Sequence, residues 1–282
     1  MTRTWLRRLQ LGIPTLLGWR RLGYFIPYCY AAGLPDLGES PGYLPVQELM
    51  RAKEQAFTAV LQAMENYQTR FEAFNNTTPP IPRWQQDWFP RLDGLSAYTM
   101  IRDLKPARIV EVGTGHSTRF MAQAVEDGAI DCKITTIDPA PRADIAGIET
   151  IELIQQPIQN AGTAVFAELK SGDVLFIDSS HILMPGSDVD LLFNRIMPTL
   201  PGGVFIHIHD ITLPDDYPKS WSWRGYNEQQ GVMPMILGGG YDLLWSSHYV
   251  VTTMKTKIDT SFIRKIPLVD GAFETSIWLK KL

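Results

Sequence analysis

The run Arg108-Ile109-Val110-Glu111-Val112-Gly113-Thr114-Gly115-His116-Ser117-Thr118 passes from a β-rich segment through two glycines into the start of a helix. Ile109, Val110 and Val112 suit a pleated, buried surface. Gly113 and Gly115 let the backbone turn sharply and approach a ligand closely. A helix is expected over residues 117–126, with Ser117 as its N-cap, and its first N–H groups are free to meet a ligand.

The pattern repeats downstream. Lys133-Ile134-Thr135-Thr136-Ile137 reads as a second strand ending in Asp138, and Asp173-Val174-Leu175-Phe176-Ile177 as a third ending in Asp178. A helix is expected over 187–199 and a turn at Pro201-Gly202-Gly203. Val204 to Ile208 then forms a strand ending near His209-Asp210. Continuous apolar strands separated by helices imply a doubly wound, mostly parallel α/β sheet covered on both faces. Beyond Tyr241, a strand is expected near Leu243–Trp245, continuing through Tyr249–Thr252. A last strand at Thr275–Lys280, with no clear helix before it, suggests an antiparallel closing hairpin.

Upstream, residues 44–75 are expected to form one long helix. Phe57, Val60, Leu61, Met64, Tyr67, Phe71 and Phe74 recur on one face, and Asn75 to Pro80 ends it. Residues 79–90 read as an ordered Pro- and Trp-rich connector, and Leu92 to Leu104 as a further helix. The chain divides into a helical N-terminal cap or dimerisation region, 1–90, and a cofactor-binding domain, 91–282.

The 282 residues carry a net charge of -4, so the whole molecule has no electrostatic reason to seek nucleic acid. Cys29 and Cys132 lack any metal spacing and read as free thiols in a reducing, cytoplasmic setting. No apolar stretch reaches the ~20 residues of a spanning helix. Residues 1–35 hold Arg3, Arg7, Arg8, Arg20 and Arg21 but no acid, mixed with Trp5, Trp19, Tyr24, Phe25, Tyr28 and Tyr30. Such a mixture suits an anionic membrane surface. The plainer reading is an arm packed on the domain or on the partner subunit of a homodimer.

A glycine turn with a downstream acid also occurs in nicotinamide enzymes. Two residues favour another ligand. Glu111 before the turn would repel a pyrophosphate and suits a cationic amino-acid end. Thr118 stands where a dinucleotide site has its third glycine. Asp138, 23 residues after Gly115, can accept both hydroxyls of a ribose.

Glu111 to Thr118 resembles the first motif of the class I S-adenosylmethionine-dependent methyltransferases, and Ile134 to Asp138 their second. DVLFIDSSH from Asp173, GGVFIHIHDI from Gly202 and the triplet Asn227-Glu228-Gln229 are similar to a bacterial branch found with small-molecule or glycan biosynthesis. The resemblance covers roughly residues 95–282. It implies a seven-stranded sheet with a reversed last strand, a methionine end bordered by Glu111, Gly113 and Gly115, and a ribose on Asp138. Thr114, Ser117 and Asp178 join the expected cofactor contacts. The chain departs from the branch at Gln230-Gly231, where aromatic and aliphatic residues would stand.

His116, His181, His207 and His209 fall at or near strand carboxyl ends, a concentration that suits a base or a metal site. His207 and His209 are expected on opposite sides of their strand, His207 in the core and His209 at the pocket. His209 or His181 is the expected general base for a small-molecule hydroxyl or amine, with Asp178 beside them. A divalent ion (Mg, Mn or Zn) on Asp178, His209 and Asp210 is the competing arrangement. Trp221, Trp223 and Tyr226 suit a pocket wall or a small apolar plug, and His248 has no assigned role. Two other functions fit the same turn: a nicotinamide-dependent oxidoreductase, and a non-catalytic scaffold retaining the fold.

Overall fold

The computed structural model describes residues 2–36, 38–76, 78–141, 145 and 147–282. Thr77, in the segment expected to end the long helix, and the side chain of Arg3 lie outside the described residues. Seven strands form one sheet: β1 (Arg108–Val112), β2 (Lys133–Ile137), β3 (Ile151–Ile154), β4 (Val174–Ile177), β5 (Phe205–Ile208), β6 (Tyr241–Ser246) and β7 (Ile277–Lys281). Their order is β3-β2-β1-β4-β5-β7-β6. The first five run parallel, and β7 lies antiparallel between β5 and β6. The expected closing hairpin is therefore present, and the sheet is the seven-stranded class I methyltransferase architecture with a helical N-terminal segment.

Register fixes where ligands can bind. Val112 pairs with Ile137 and with Ile177, and Ile177 pairs with Ile208. The residues that follow, Gly113, Asp138, Asp178 and His209, therefore leave the sheet at one level. The strand order reverses between β1 and β4, which opens a crevice at that level.

Three elements differ from the sequence reading. The expected single helix is three: α2 (Leu44–Ala52), α3 (Glu54–Glu65) and α4 (Gln68–Ala73). Lys53 and Tyr67 leave helical geometry, and the Lys53 ammonium reaches Asp242 on β6. The apolar stripe is buried all the same, with Phe57, Leu61, Met64, Phe71 and Phe74 inside. Residues 247–253 are helical rather than a continuation of β6. There the Ser246 hydroxyl accepts the Tyr249 N–H at 3.2 Å and starts a helix. The expected helix 187–199 mixes an α turn, a π stretch at Leu192–Ile196 and a 3₁₀ turn.

Helix α5 (Arg91–Leu104) packs on α6 (His116–Asp127). Their approach is close enough that a Cβ on Gly94 would lie 2.7 Å from the Phe120 ring. Phe71, Phe74, Trp84 and Phe120 continue this core, and the Trp84 indole donates to the Phe71 carbonyl at 2.9 Å. The residues from α2 to the connector thus share one apolar interior with the sheet. The Arg91 guanidinium grips the Glu274 carboxylate through two 2.9 Å bonds, tying α5 to the approach to β7. Before all of these, α1 (Thr2–Leu16) lies over the crevice.

Candidate active site

The crevice at the strand ends is a cavity of about 1110 Å³. Its floor is Val112 to His116 with Ile137 and Asp138. One wall carries Asp178, Ser179, Ser180 and His181, another His209, Asp210, Trp221 and Tyr226, and α1 covers it with Arg7, Arg8 and Leu11.

The glycine turn is built for contact. Gly113 has φ +92°, and a Cβ there would stand 1.8 Å from the Asp178 carbonyl oxygen, so only glycine fits. A Cβ on Gly115 would meet nothing within 4 Å, because that face opens on the cavity. Helix α6 begins at His116 with Gly115 as its cap, so Ser117 is not the N-cap. Instead the Ser117 and Thr118 hydroxyls each donate to Glu111, both at 2.7 Å. Thr118 also accepts the Gly115 N–H at 2.9 Å.

Glu111 is fully buried beneath the turn and does not line the cavity; neither does Ser117. Burial pushes the Glu111 carboxyl up to about 8 despite its two hydroxyl donors. Its expected role against a cationic ligand end gives way to one inside the protein: it clamps the turn onto α6. Asp138 accepts the Thr114 N–H and the Ala140 N–H, each at 2.7 Å. Those bonds hold its carboxylate at the cavity edge, and each oxygen keeps a lone pair for a ligand hydroxyl.

These contacts also weigh against a pyrophosphate. The Thr114 and Gly115 N–H groups, which a phosphate would need, already serve Asp138 and Thr118. The buried Thr114 and Ser179 hydroxyls and the His116 Nδ1, by contrast, have no protein partner and belong to cavity-lining residues. Buried polar groups of this kind imply a ligand with several hydrogen-bonding atoms. A nucleoside bearing an amino-acid chain, as in S-adenosylmethionine, fits that donor and acceptor set.

At the far end, four carboxylates surround two imidazoles. His181 has its Nδ1 2.9 Å from Glu228 Oε2, and its Nε2 is 3.4 Å from both Asp178 and Asp210. His209 has its Nε2 3.3 Å from Asp93 and its Nδ1 3.5 Å from Asp178. Burial alone would lower both imidazoles. The carboxylates outweigh it, Asp210, Asp178 and Glu228 for His181 and Asp178, Asp210 and Asp93 for His209, and hold both well above the usual histidine range. Burial would likewise raise Asp178, but His209 and His181 hold it well below the carboxylate range.

Two expectations change as a result. The carboxylates favour the charged form of both imidazoles, which weighs against the general-base role expected of His209 or His181. Nor do Asp178, His209 and Asp210 form a metal shell. Among the described residues, no three histidine, cysteine, aspartate or glutamate side chains are placed to hold an ion.

His207 is in the core, as expected, with its Nε2 2.8 Å from the Ser276 hydroxyl. It does not lie on the opposite side of the strand from His209. Residues two apart on a strand share a face, and the two rings stack with centroids 6.0 Å apart. Depth separates them, since His207 lies under Phe176 and Trp278 while His209 stands past the strand end. His116 lines the cavity on the opposite side, and burial, with Arg119 and Arg83, lowers it to about 4, leaving a neutral ring. His248 pairs with Asp215 at 2.8 Å, outside the cavity.

The sequence reading missed Asp93, Arg224 and the arginines of α1 as parts of the site. Asp93 sat unremarked in an otherwise apolar helical segment, a signal that a buried acid needed partners. It accepts the Thr275 and Ser276 N–H groups besides facing His209. The triplet 227–229 is scaffolding. Asn227 accepts the Leu183 N–H at 2.7 Å, Glu228 orients His181, and Gln229 accepts the Thr212 hydroxyl at 3.0 Å. At the departure from the expected pattern, Gly231 admits Phe193 and Leu183 at distances of 2.9 to 3.0 Å from where a Cβ would stand. Trp221, Trp223 and Tyr226 form a wall backed by a plug. They line the cavity, and the Arg224 guanidinium stacks on all three.

Residues 110–211 match the model of a family described as a methyltransferase domain. No curated protein matches. Among solved structures, the SAH-bound methyltransferase PaMTH1 of Podospora anserina is 17% identical, with a TM-score of 0.41, over 93% of this chain and 100% of that one. The Bacillus cereus O-methyltransferase in complex with SAH is 11% identical, with a TM-score of 0.44, over 79% and 91%. TomG of Streptomyces achromogenes, an O-methyltransferase solved with SAM, is 15% identical, with a TM-score of 0.36, over 67% and 80%. Residues 110–211, which run from β1 through β5, thus carry a methyltransferase domain. Among the described residues, no helix is long and apolar enough to cross a membrane.

Proposed function

We propose that the chain transfers a methyl group from S-adenosylmethionine to a hydroxyl of a small molecule. The observation that carries this is the open glycine turn with Asp138 on one side of the cavity and a carboxylate-rich wall on the other. Gly113, Thr114, Gly115 and Asp138 hold the cofactor, which supplies a methyl group made electrophilic by its sulfonium. The wall of Trp221, Trp223 and Tyr226 suits a small organic acceptor with an apolar body. Within residues 1–90, α1 acts as the helical cap over the cavity, while α2 to the connector packs into the sheet's own core.

Asp178 takes over the role first given to the histidines. It is 29% exposed, against 12% for Asp210, and so offers the acceptor the more open carboxylate. A hydroxyl becomes strongly acidic as its oxygen gains a methyl group, so a carboxylate of low pKa suffices to take the proton at that moment. His181 and His209 keep that carboxylate charged and aimed. His181 and Asp210 are held with φ of 61° and 55°, two of the four non-glycine residues with positive φ among the described residues. Backbone strain of this kind gathers at functional sites.

Calorimetry with S-adenosylhomocysteine and with NAD tests the cofactor, with binding of the first alone expected. Binding of NAD alone would overturn the reading in favour of an oxidoreductase. Release of S-adenosylhomocysteine across a panel of hydroxylated acceptors tests the reaction. Asp178→Asn should then lower turnover by about 10²-fold or more, whereas unchanged turnover removes Asp178 from the proton's path.

A further inference from the structure

Helix α1 has two unlike faces. Arg7, Arg8 and Leu11 point to the cavity. Trp5, Leu6, Leu9, Ile13 and Leu16 recur at helical spacing on the other side, each between 38% and 61% exposed. The segment after it is equally bare. Trp19 is 76% exposed, and Phe25, Ile26, Tyr28 and Tyr30 are exposed with it. Water-facing apolar surface of this extent is a contact waiting for its partner.

Charge identifies the partner. Residues 1–35 contain five arginines and no acid, whereas the whole chain has a net charge of -4. Arg20 and Arg21 are exposed beside Trp19, and the Arg21 guanidinium lies over Tyr24. Aromatic rings alternating with arginines are the composition that settles at the headgroup level of a bilayer.

The geometry points to α1 and the segment through Tyr30 as a docking element for an anionic lipid surface. The apolar stripe enters the interface, and Arg20 and Arg21 meet the headgroups. Because α1 covers the cavity with its other face, and a helix with its side chains is about 10 Å across, docking brings the mouth of the site to the membrane surface. An acceptor embedded in or adsorbed on that surface would then reach the cavity without crossing bulk water.

The test uses the full chain with vesicles of phosphatidylcholine alone and of phosphatidylcholine mixed with phosphatidylglycerol, followed by cosedimentation. Lipid binding needs no methyl acceptor, so its outcome is independent of the reaction proposed above. Binding to the mixed vesicles, weaker in high salt and absent on the neutral ones, is expected. Leu9→Glu/Ile13→Glu should weaken it at least tenfold with the melting temperature unchanged. Arg20→Gln/Arg21→Gln, at exposed positions where folding is not at stake, should weaken binding to the anionic vesicles severalfold. Failure of the unaltered chain to bind the mixed vesicles would overturn the proposal, as would undiminished binding by both variants. A dimer that dissociates in Leu9→Glu/Ile13→Glu, with no vesicle binding, would assign the stripe to a second copy instead.

Discussion

Glu111→Gln should make this protein more stable at alkaline pH while changing little at acid pH. Glu111 is fully buried, and burial lifts its carboxyl from 4.5 to about 8. For an acid whose folded-state pKa is raised, the folded chain keeps a proton that the unfolded chain has lost. Stability is therefore full below about pH 4.5 and declines as pH rises to about 8. At about 1.36 kcal/mol per unit, the decline between pH 5 and pH 9 is about 4 kcal/mol. At roughly 2–4 °C per kcal/mol for a domain of this size, that corresponds to about 10 °C in melting temperature.

Glutamine removes the charge and keeps the shape. Its amide both donates and accepts, and the Ser117 and Thr118 hydroxyls can do either in return. At pH 5, where Glu111 is protonated, the variant should lie within about 1 kcal/mol of the parent. Thermal unfolding of both proteins at pH 5 and pH 9 gives the double difference, in which every other titrating group cancels. A gap between variant and parent that is the same at both pH values would refute the reasoning, as would a variant less stable than the parent at pH 9.

Asp138→Ala should weaken S-adenosylhomocysteine binding by about 1.5–3 kcal/mol, since the lost acceptor is charged; calorimetry on a folded variant reads it directly. Gly113→Ala should cost at least ~3 kcal/mol of stability, because its Cβ would meet the Asp178 carbonyl at 1.8 Å on a backbone already at φ +92°. A melting temperature equal to the parent's would show that the turn is not built this way. Arg91→Met leaves Glu274 as a buried carboxylate without its partner and should cost about 3–5 kcal/mol. Adding Glu274→Leu should recover most of that loss in denaturant titration, and no recovery would mean the pair is not the source of the cost.

The strands that build the crevice were legible because each is a short run of β-branched and apolar residues that ends in a glycine or a polar residue. β1, β2, β4 and β5 fall where the alternation of strands and helices placed them. β3 was not read from its residues, because Ile151-Glu152-Leu153-Ile154 is an edge strand with two exposed positions and no long apolar run. The breaks at Lys53 and Tyr67 carried no glycine or proline to announce them. Tertiary contacts with β6 and α5 make them, and periodicity alone extends straight through. The helix after Ser246 was hidden in β-branched residues, whose strand preference yields to a hydroxyl cap and to the turn needed for β7 to enter the sheet.

The site shows where sequence reasoning stops in physical terms. Position was readable: Asp138, Asp178, His181, His209 and Asp210 all line the cavity, since strand ends in a parallel sheet converge. Protonation state was not, because it depends on neighbours remote in the chain. Asp93 lies 116 residues before His209, and Glu228 lies 47 after His181. Those two acids add to Asp210 and Asp178, the carboxylates that weigh most on the two rings. With them, both nitrogens of each ring face carboxylates and the charged form prevails. A pair of histidines that suggests a base or a metal site in one dimension thus becomes a pair of fixed cations in three. The open carboxylate of Asp178 is then left as the group we propose to face the acceptor.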